Sequence, residues 1–117
     1  MHVEVRQTKD VVILDLKGRL TAGLGDQILR DAIDELLAEG RRHILLNLSE
    51  VSFLDSAGVG ELVAGLKTAR RFQANLKLLN VGERVYSTLD MARLLPTFEI
   101  FGEESEAVQS FKSDGSS

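Results

Sequence analysis

Arg42 to Leu62 reads RHILLNLSEVSFLDSAGVGEL, and a change of rhythm inside this stretch decides the fold class. As far as Ser49 the apolar residues alternate, with Ile44, Leu46 and Leu48 on one face and Leu45 and Asn47 on the other, the pattern of a strand in the core of a sheet. From Ser56 the period becomes helical. Val59, Leu62, Val63, Leu66 and Ala69 fall on one stripe, while Glu61, Lys67, Arg70 and Arg71 fall elsewhere. A strand therefore passes into a helix at Asp55-Ser56, through the small residues Ala57 and Gly58.

Working outward, the same units recur. Val3–Thr8 and Val11–Lys17 are short aliphatic runs separated by Lys9-Asp10, which reads as two strands in a hairpin. Leu24–Glu39 places Leu24, Ile28, Leu29, Ala32, Ile33, Leu36 and Leu37 at helical spacing, with Gly40 as the stop. Downstream, Asn75–Val81 predicts a strand, Glu83–Ala92 a helix, Pro96 a break before the short apolar run Phe98–Phe101, and Ala107, Val108 and Phe111 a last helix. Alternating strands and helices of this length predict an α/β fold, with one domain over residues 1–112 and a flexible tail over 113–117. The turn at Leu54–Gly58 then lies at the carboxyl end of a central strand, where open α/β sheets place their sites.

Composition removes several classes of function. The 117 residues are 44% hydrophobic and 27% charged, as in a folded globular chain. There is no cysteine, hence no disulfide framework or thiolate zinc site, which fits a reducing compartment and a cytoplasmic protein. No apolar run reaches the roughly 18 residues of a membrane span. Fourteen basic against 18 acidic residues, a net charge of -4 with scattered cations, argues against a nucleic-acid partner.

Two readings of Asp55-Ser56 stand side by side. In the first, either residue is a helix N-cap and nothing more. In the second, Ser56 is an accessible hydroxyl among small neighbours, with Gly58 and Gly60 letting another backbone approach. A serine at a helix start tolerates phosphorylation, because the added charge of about -1.5 to -2 meets the positive end of the helix dipole. A partner packed on the same bare surface would not tolerate it, so the residues permit a binding switch. Enzyme readings are poorer. Leu54–Gly58 lacks the first glycine of a G-x-S-x-G elbow, His2 and His43 read as surface residues, and Gly58-x-Gly60 has no further dinucleotide or phosphate-loop signature. Asp55 and Glu61 are not spaced as metal ligands and read as carboxylates on a solvated helix. No catalytic residue, metal or cofactor is expected.

Over nearly its whole length the sequence resembles the STAS domains, and within them the free-standing bacterial anti-sigma factor antagonists. The resemblance rests on VVILDLKGRL (Val11–Leu20), ILLNLSEVSFLDSAGVGEL (Ile44–Leu62) and the layout of LKLLNVGERVYSTLDMARLLPTFEIF (Leu76–Phe101). It implies a STAS fold: a small mixed sheet of four to five strands with helices packed mainly on one face. It also implies partner switching, in which the unphosphorylated form binds an anti-sigma factor that is itself a serine kinase and frees the sigma factor. Phosphorylation of Ser56 ends the contact, and a serine phosphatase resets it. The implied partner surface comprises Thr21, Gly23, Asp55, Ser56, Ala57, Gly58, Val59, Gly60 and Leu62, with Asp55 positioning the hydroxyl or the partner's groups. Ala57 stands where many relatives carry a second hydroxyl, and Thr21 where many carry an aspartate. The alternative is a STAS scaffold or regulatory subunit of a signalling assembly, or of a lipid or small-molecule transport system, without the phosphoswitch. A monomer or weak dimer is expected.

Overall fold

The computed structural model describes residues 1–112; the tail expected at 113–117 lies outside the described residues. Strand β1 (His2–Thr8) turns at Lys9, whose φ of 57° is left-handed, into β2 (Val11–Leu20). There follow α1 (Leu24–Ala38), β3 (His43–Leu54), α2 (Ser56–Arg71), β4 (Asn75–Leu79), α3 (Glu83–Met91), a 3-10 turn at Leu95–Thr97 carrying Pro96, β5 (Ile100–Phe101) and α4 (Glu104–Lys112). The five strands lie in the order β1-β2-β3-β4-β5. Only β1 is antiparallel to its neighbour; the other pairings are parallel, as helical crossovers require.

β3 is the central strand, and its apolar alternation divides two cores. Ile44, Leu46 and Leu48 join Leu29, Ile33, Leu62, Leu66, Val85 and Leu89 in the main core, so α1, α2 and α3 share one face. Leu45 faces the other way, with Val11, Ile13 and Leu79, against Ala107, Val108 and Phe111 of α4. Buried on both faces, the first half of β3 reads as a nearly continuous apolar run over Ile44–Leu48.

Two strands run further than their patterns suggest, and this positions the site. β2 continues past Lys17 to Leu20, and its register with β3 shifts twice, each time by one extra residue on β3: Leu48 and Ser49 lie opposite Leu16, and Ser52 falls between the pairs Gly18–Val51 and Arg19–Phe53. The irregularity is thus in β3, and on β2 opposite it Gly18 takes a φ of 109°, which glycine adopts at no steric cost. β3 likewise continues to Leu54, and the two strands finish level, with Leu20 beside Leu54. The loops after β2 and β3 are thereby neighbours.

Three readings of individual residues are corrected. Leu24 sits on the extrapolated stripe but is 69% exposed, because it is the first residue of α1 and precedes the buried turns. His43 is buried rather than on the surface: its ring lies 5.2 Å from that of Phe111, beneath α4. Glu61 is also buried, and its Oε1 accepts from Nε and Nη2 of Arg30 on α1 at 3.1 and 2.7 Å. A carboxylate enclosed between two helices is tolerable because the cation comes with it.

Candidate functional site

The site is built by the ends of β2 and β3 and the first turns of α1 and α2. Asp55 is the N-cap of α2. Its backbone is extended, and Oδ1 accepts from the Gly58 amide at 2.9 Å. Oδ2 reaches across to the other loop and accepts from the Ala22 amide at 3.1 Å. The carboxylate is thus held by backbone donors from two elements, first Ala22 and then Gly58, and its pKa lies below the ordinary aspartate range. The Asp55 amide adds a longer bond to the Leu20 carbonyl at 3.4 Å.

This geometry decides between the two capping residues. Asp55 takes the cap, and Ser56, the first residue of the helix, is left exposed with its hydroxyl outside the cap. Ala57 is half-buried and adds no polar group. Asp55 thus ties together the backbone of the two loops that frame Ser56.

The glycines of the motif divide into two kinds. Gly60 is exposed, with nothing within 4 Å of the place a Cβ would take, as expected of a bare surface. Gly58 is different. It is buried, and a Cβ there would overlap the carbonyl oxygen of Leu20 and press on Leu54, so the backbone that comes close is this chain's own β2. Gly25 in the first turn of α1 does the same against the carbonyl of Arg19, at 2.6 Å from an added Cβ. Leu62 is completely buried in the main core. Gly58 and Leu62 therefore support the surface from beneath and offer none of it, because both lie on the core-facing stripe of α2.

On the β2 side, Gly23 is exposed with a φ of 101°, and Thr21 is half-buried, its carbonyl accepting from the Asp26 amide at 3.1 Å. Val59 is half-buried and borders an open depression of about 420 Å³ that Ser56 also lines, together with Leu54, Asp55, Thr88, Met91 and Ala92. The last three come from the end of α3, which the motif did not suggest. A signal was present: Val85 and Leu89 form the buried side of that helix, and Met91, two residues or about 200° further round, is an apolar residue off it. Among the described residues no group of three or more His, Asp or Glu side chains gathers as metal ligands would, and no helix is long and apolar enough to cross a membrane.

Fold and edge together define the class: a small α/β domain with a mixed five-stranded sheet and one exposed serine at the start of the helix after its central strand. The chain belongs to the STAS domain family, which it matches over residues 2–107. It is 27% identical over 109 residues to the anti-sigma F factor antagonist of Paenibacillus polymyxa, covering 92% of each chain. It is 26% identical over 109 residues to the anti-sigma-B factor antagonist of Bacillus subtilis, covering 93% of this chain and 98% of the relative. Among solved structures, the unphosphorylated form of the anti-sigma factor antagonist SpoIIAA superposes with a TM-score of 0.80 at 22% identity, over 96% of this chain and 97% of that one. The phosphorylated form of Bacillus SpoIIAA superposes with a TM-score of 0.72 at 22% identity, over 94% and 99%. At that identity the likeness is one of fold.

Proposed function

We propose that this protein is an anti-sigma factor antagonist that works by partner switching, with Ser56 as the switch. The observation that carries the reading is the division of labour at the start of α2: Asp55 caps the helix and Ser56, beside it, has an exposed hydroxyl with no part in the cap. Names of relatives agree with it, since the two relatives given above are antagonists of anti-sigma factors, and the fold of SpoIIAA is known in phosphorylated and unphosphorylated forms.

Unphosphorylated, the protein binds an anti-sigma factor with serine kinase activity through the exposed part of the edge: Thr21, Gly23, Asp55, Ser56, Ala57, Val59 and Gly60. The bound anti-sigma factor releases its sigma factor. Transfer of a phosphoryl group to Ser56 adds about -1.5 to -2 of charge next to the ionised Asp55. At an exposed helix start this domain tolerates that charge, while a partner packed over the hydroxyl loses its desolvated contact. A serine phosphatase restores the binding form.

The test is direct. Incubated with its cognate kinase and ATP, the protein gains one phosphate, and Ser56→Ala gains none, as read by intact mass and peptide mapping. Phosphate found elsewhere with Ser56 unmodified overturns the assignment. Ser56→Asp binds the anti-sigma factor at least about tenfold more weakly, a loss of ~1.4 kcal/mol, and equal affinity of that variant removes the switch.

A further inference from the structure

The end of α3 lies outside the surface just described, yet it carries the largest exposure of any big apolar side chain among the described residues: Met91, at 85%. We infer that Met91, with Thr88 and Ala92, forms a second wall of the partner surface, and that the depression between this wall and Ser56 receives an apolar side chain of the anti-sigma factor. The inference rests on the partner-switching reading, and extends it to a helix that neither the Asp-Ser motif nor the names of the relatives point to.

The lining chooses the occupant. Leu54 is the buried floor, Val59 and Met91 are the apolar sides, and Ala92 adds a methyl group. Thr88 has its hydroxyl engaged within the helix, donating to the Arg84 carbonyl at 3.1 Å. Asp55 is the one ionised group in the lining, and its two oxygens are occupied by the amides of Gly58 and Ala22. The rest of the lining is uncharged, so an aliphatic or aromatic side chain entering beside Val59, Met91 and Ala92 would find apolar atoms on several sides. A depression of about 420 Å³ is large enough for such a group, near the lower part of the range of roughly 300–1,000 Å³ in which proteins hold small ligands. Methionine is also well suited to such a contact, since its flexible thioether adapts to the shape that arrives.

Continuity identifies the protein that brings the side chain. Ser56 is itself part of the lining, so a kinase close enough to phosphorylate its hydroxyl covers the depression in the same encounter. Phosphate on Ser56 would then stand at the mouth of an apolar contact, where its charge must either be desolvated or hold the surfaces apart. The depression is what makes the modification costly for the complex and harmless for the free domain.

The experiment titrates wild type, Met91→Asp, Met91→Leu and Ser56→Asp by calorimetry against the anti-sigma factor kinase that labels Ser56, with light scattering of each protein alone. Met91→Asp is expected to bind at least about tenfold more weakly while staying folded with a slightly lowered thermal midpoint, because Met91 is exposed in the free domain but ends α3, where a carboxylate meets the negative end of the helix dipole, and Met91→Leu to stay within about twofold. If Met91→Asp binds within twofold of wild type while Ser56→Asp is weakened, the α3 wall is not in the interface and the inference falls alone. If wild type self-associates, Met91→Asp abolishes that, and kinase binding is unaffected, a second copy of the chain occupies the depression and the inference is overturned. If neither variant changes kinase binding, the partner-switching reading fails and takes the inference with it.

Discussion

Helices α1 and α2 begin at the same edge of the sheet and begin differently. Each presses a glycine of its first turn onto the end of β2, Gly25 onto the carbonyl of Arg19 and Gly58 onto that of Leu20. Yet α2 is capped by a side chain, Asp55, whereas α1 starts at Gly23 with a φ of 101° and no side-chain cap. The difference is resolved by sharing, because the second oxygen of Asp55 takes the Ala22 amide just ahead of α1. One carboxylate therefore serves both helix starts, and the two loops of the proposed partner surface behave as one device.

Substitutions can break that comparison in graded ways. Gly58→Ala should be the most damaging, about 3 kcal/mol or more by denaturant unfolding, because its new methyl group meets backbone that must shift to admit it. Gly25→Ala should cost less, about 1–3 kcal/mol, since the Arg19 carbonyl stands further off, at 2.6 Å. If the two variants are equally stable, the helix starts are not packed as unequally as described. Asp55→Ala ranks next, and its signature is local: amide hydrogen exchange should rise at Ala22 as well as Gly58, although Ala22 is 33 residues away in sequence. Faster exchange at Gly58 alone would separate the two loops.

Acid probes the same carboxylate. Its native pKa is lowered, so its contribution to stability is complete above the ordinary aspartate range, near 3.9, and is lost as pH falls through that range toward the native value. Asp15 titrates in the same window, lowered chiefly by Arg6. The difference between wild type and Asp55→Asn isolates the site, and the variant should lose less stability on acidification. The smallest effect is expected at Gly60, where a Cβ meets nothing: Gly60→Ala should stabilise the domain by about 0.5–1 kcal/mol through helix propensity alone. A loss of stability there would mean that the surface beside Ser56 is less open than its geometry shows.

What was legible in the sequence follows from what is local. The alternation of Ile44–Leu48 and the stripes of α1 and α2 come from periodicities that tertiary structure only had to fill. Contacts between distant segments were not legible in that way. The motif reads Gly58 as a place for a partner's backbone, whereas the backbone against it is β2, which finishes level with β3 after the register shifts of β3. The charge of Glu61 points to solvent, although Gly58, Glu61, Leu62, Gly65, Leu66 and Ala69 are spaced as one buried stripe, and the Arg30 that makes this possible lies on another helix. Met91 reaches the site only through the path of α3 across the sheet, so a motif centred on Ser56 could not include it.

The bond from Asp55 to Ala22 also bears on how the protein would be counted in a cell. A linear peptide copying Val51–Leu62 keeps the hydroxyl but has neither Ala22 nor Met91, so it lacks both walls of the surface. Under the proposed switch, recognition of Ser56 would be a census of folded molecules: chains still on the ribosome, or unfolded by heat, would carry the same serine and cast no vote. The proposed signal would track the concentration of the completed domain rather than the amount of polypeptide made.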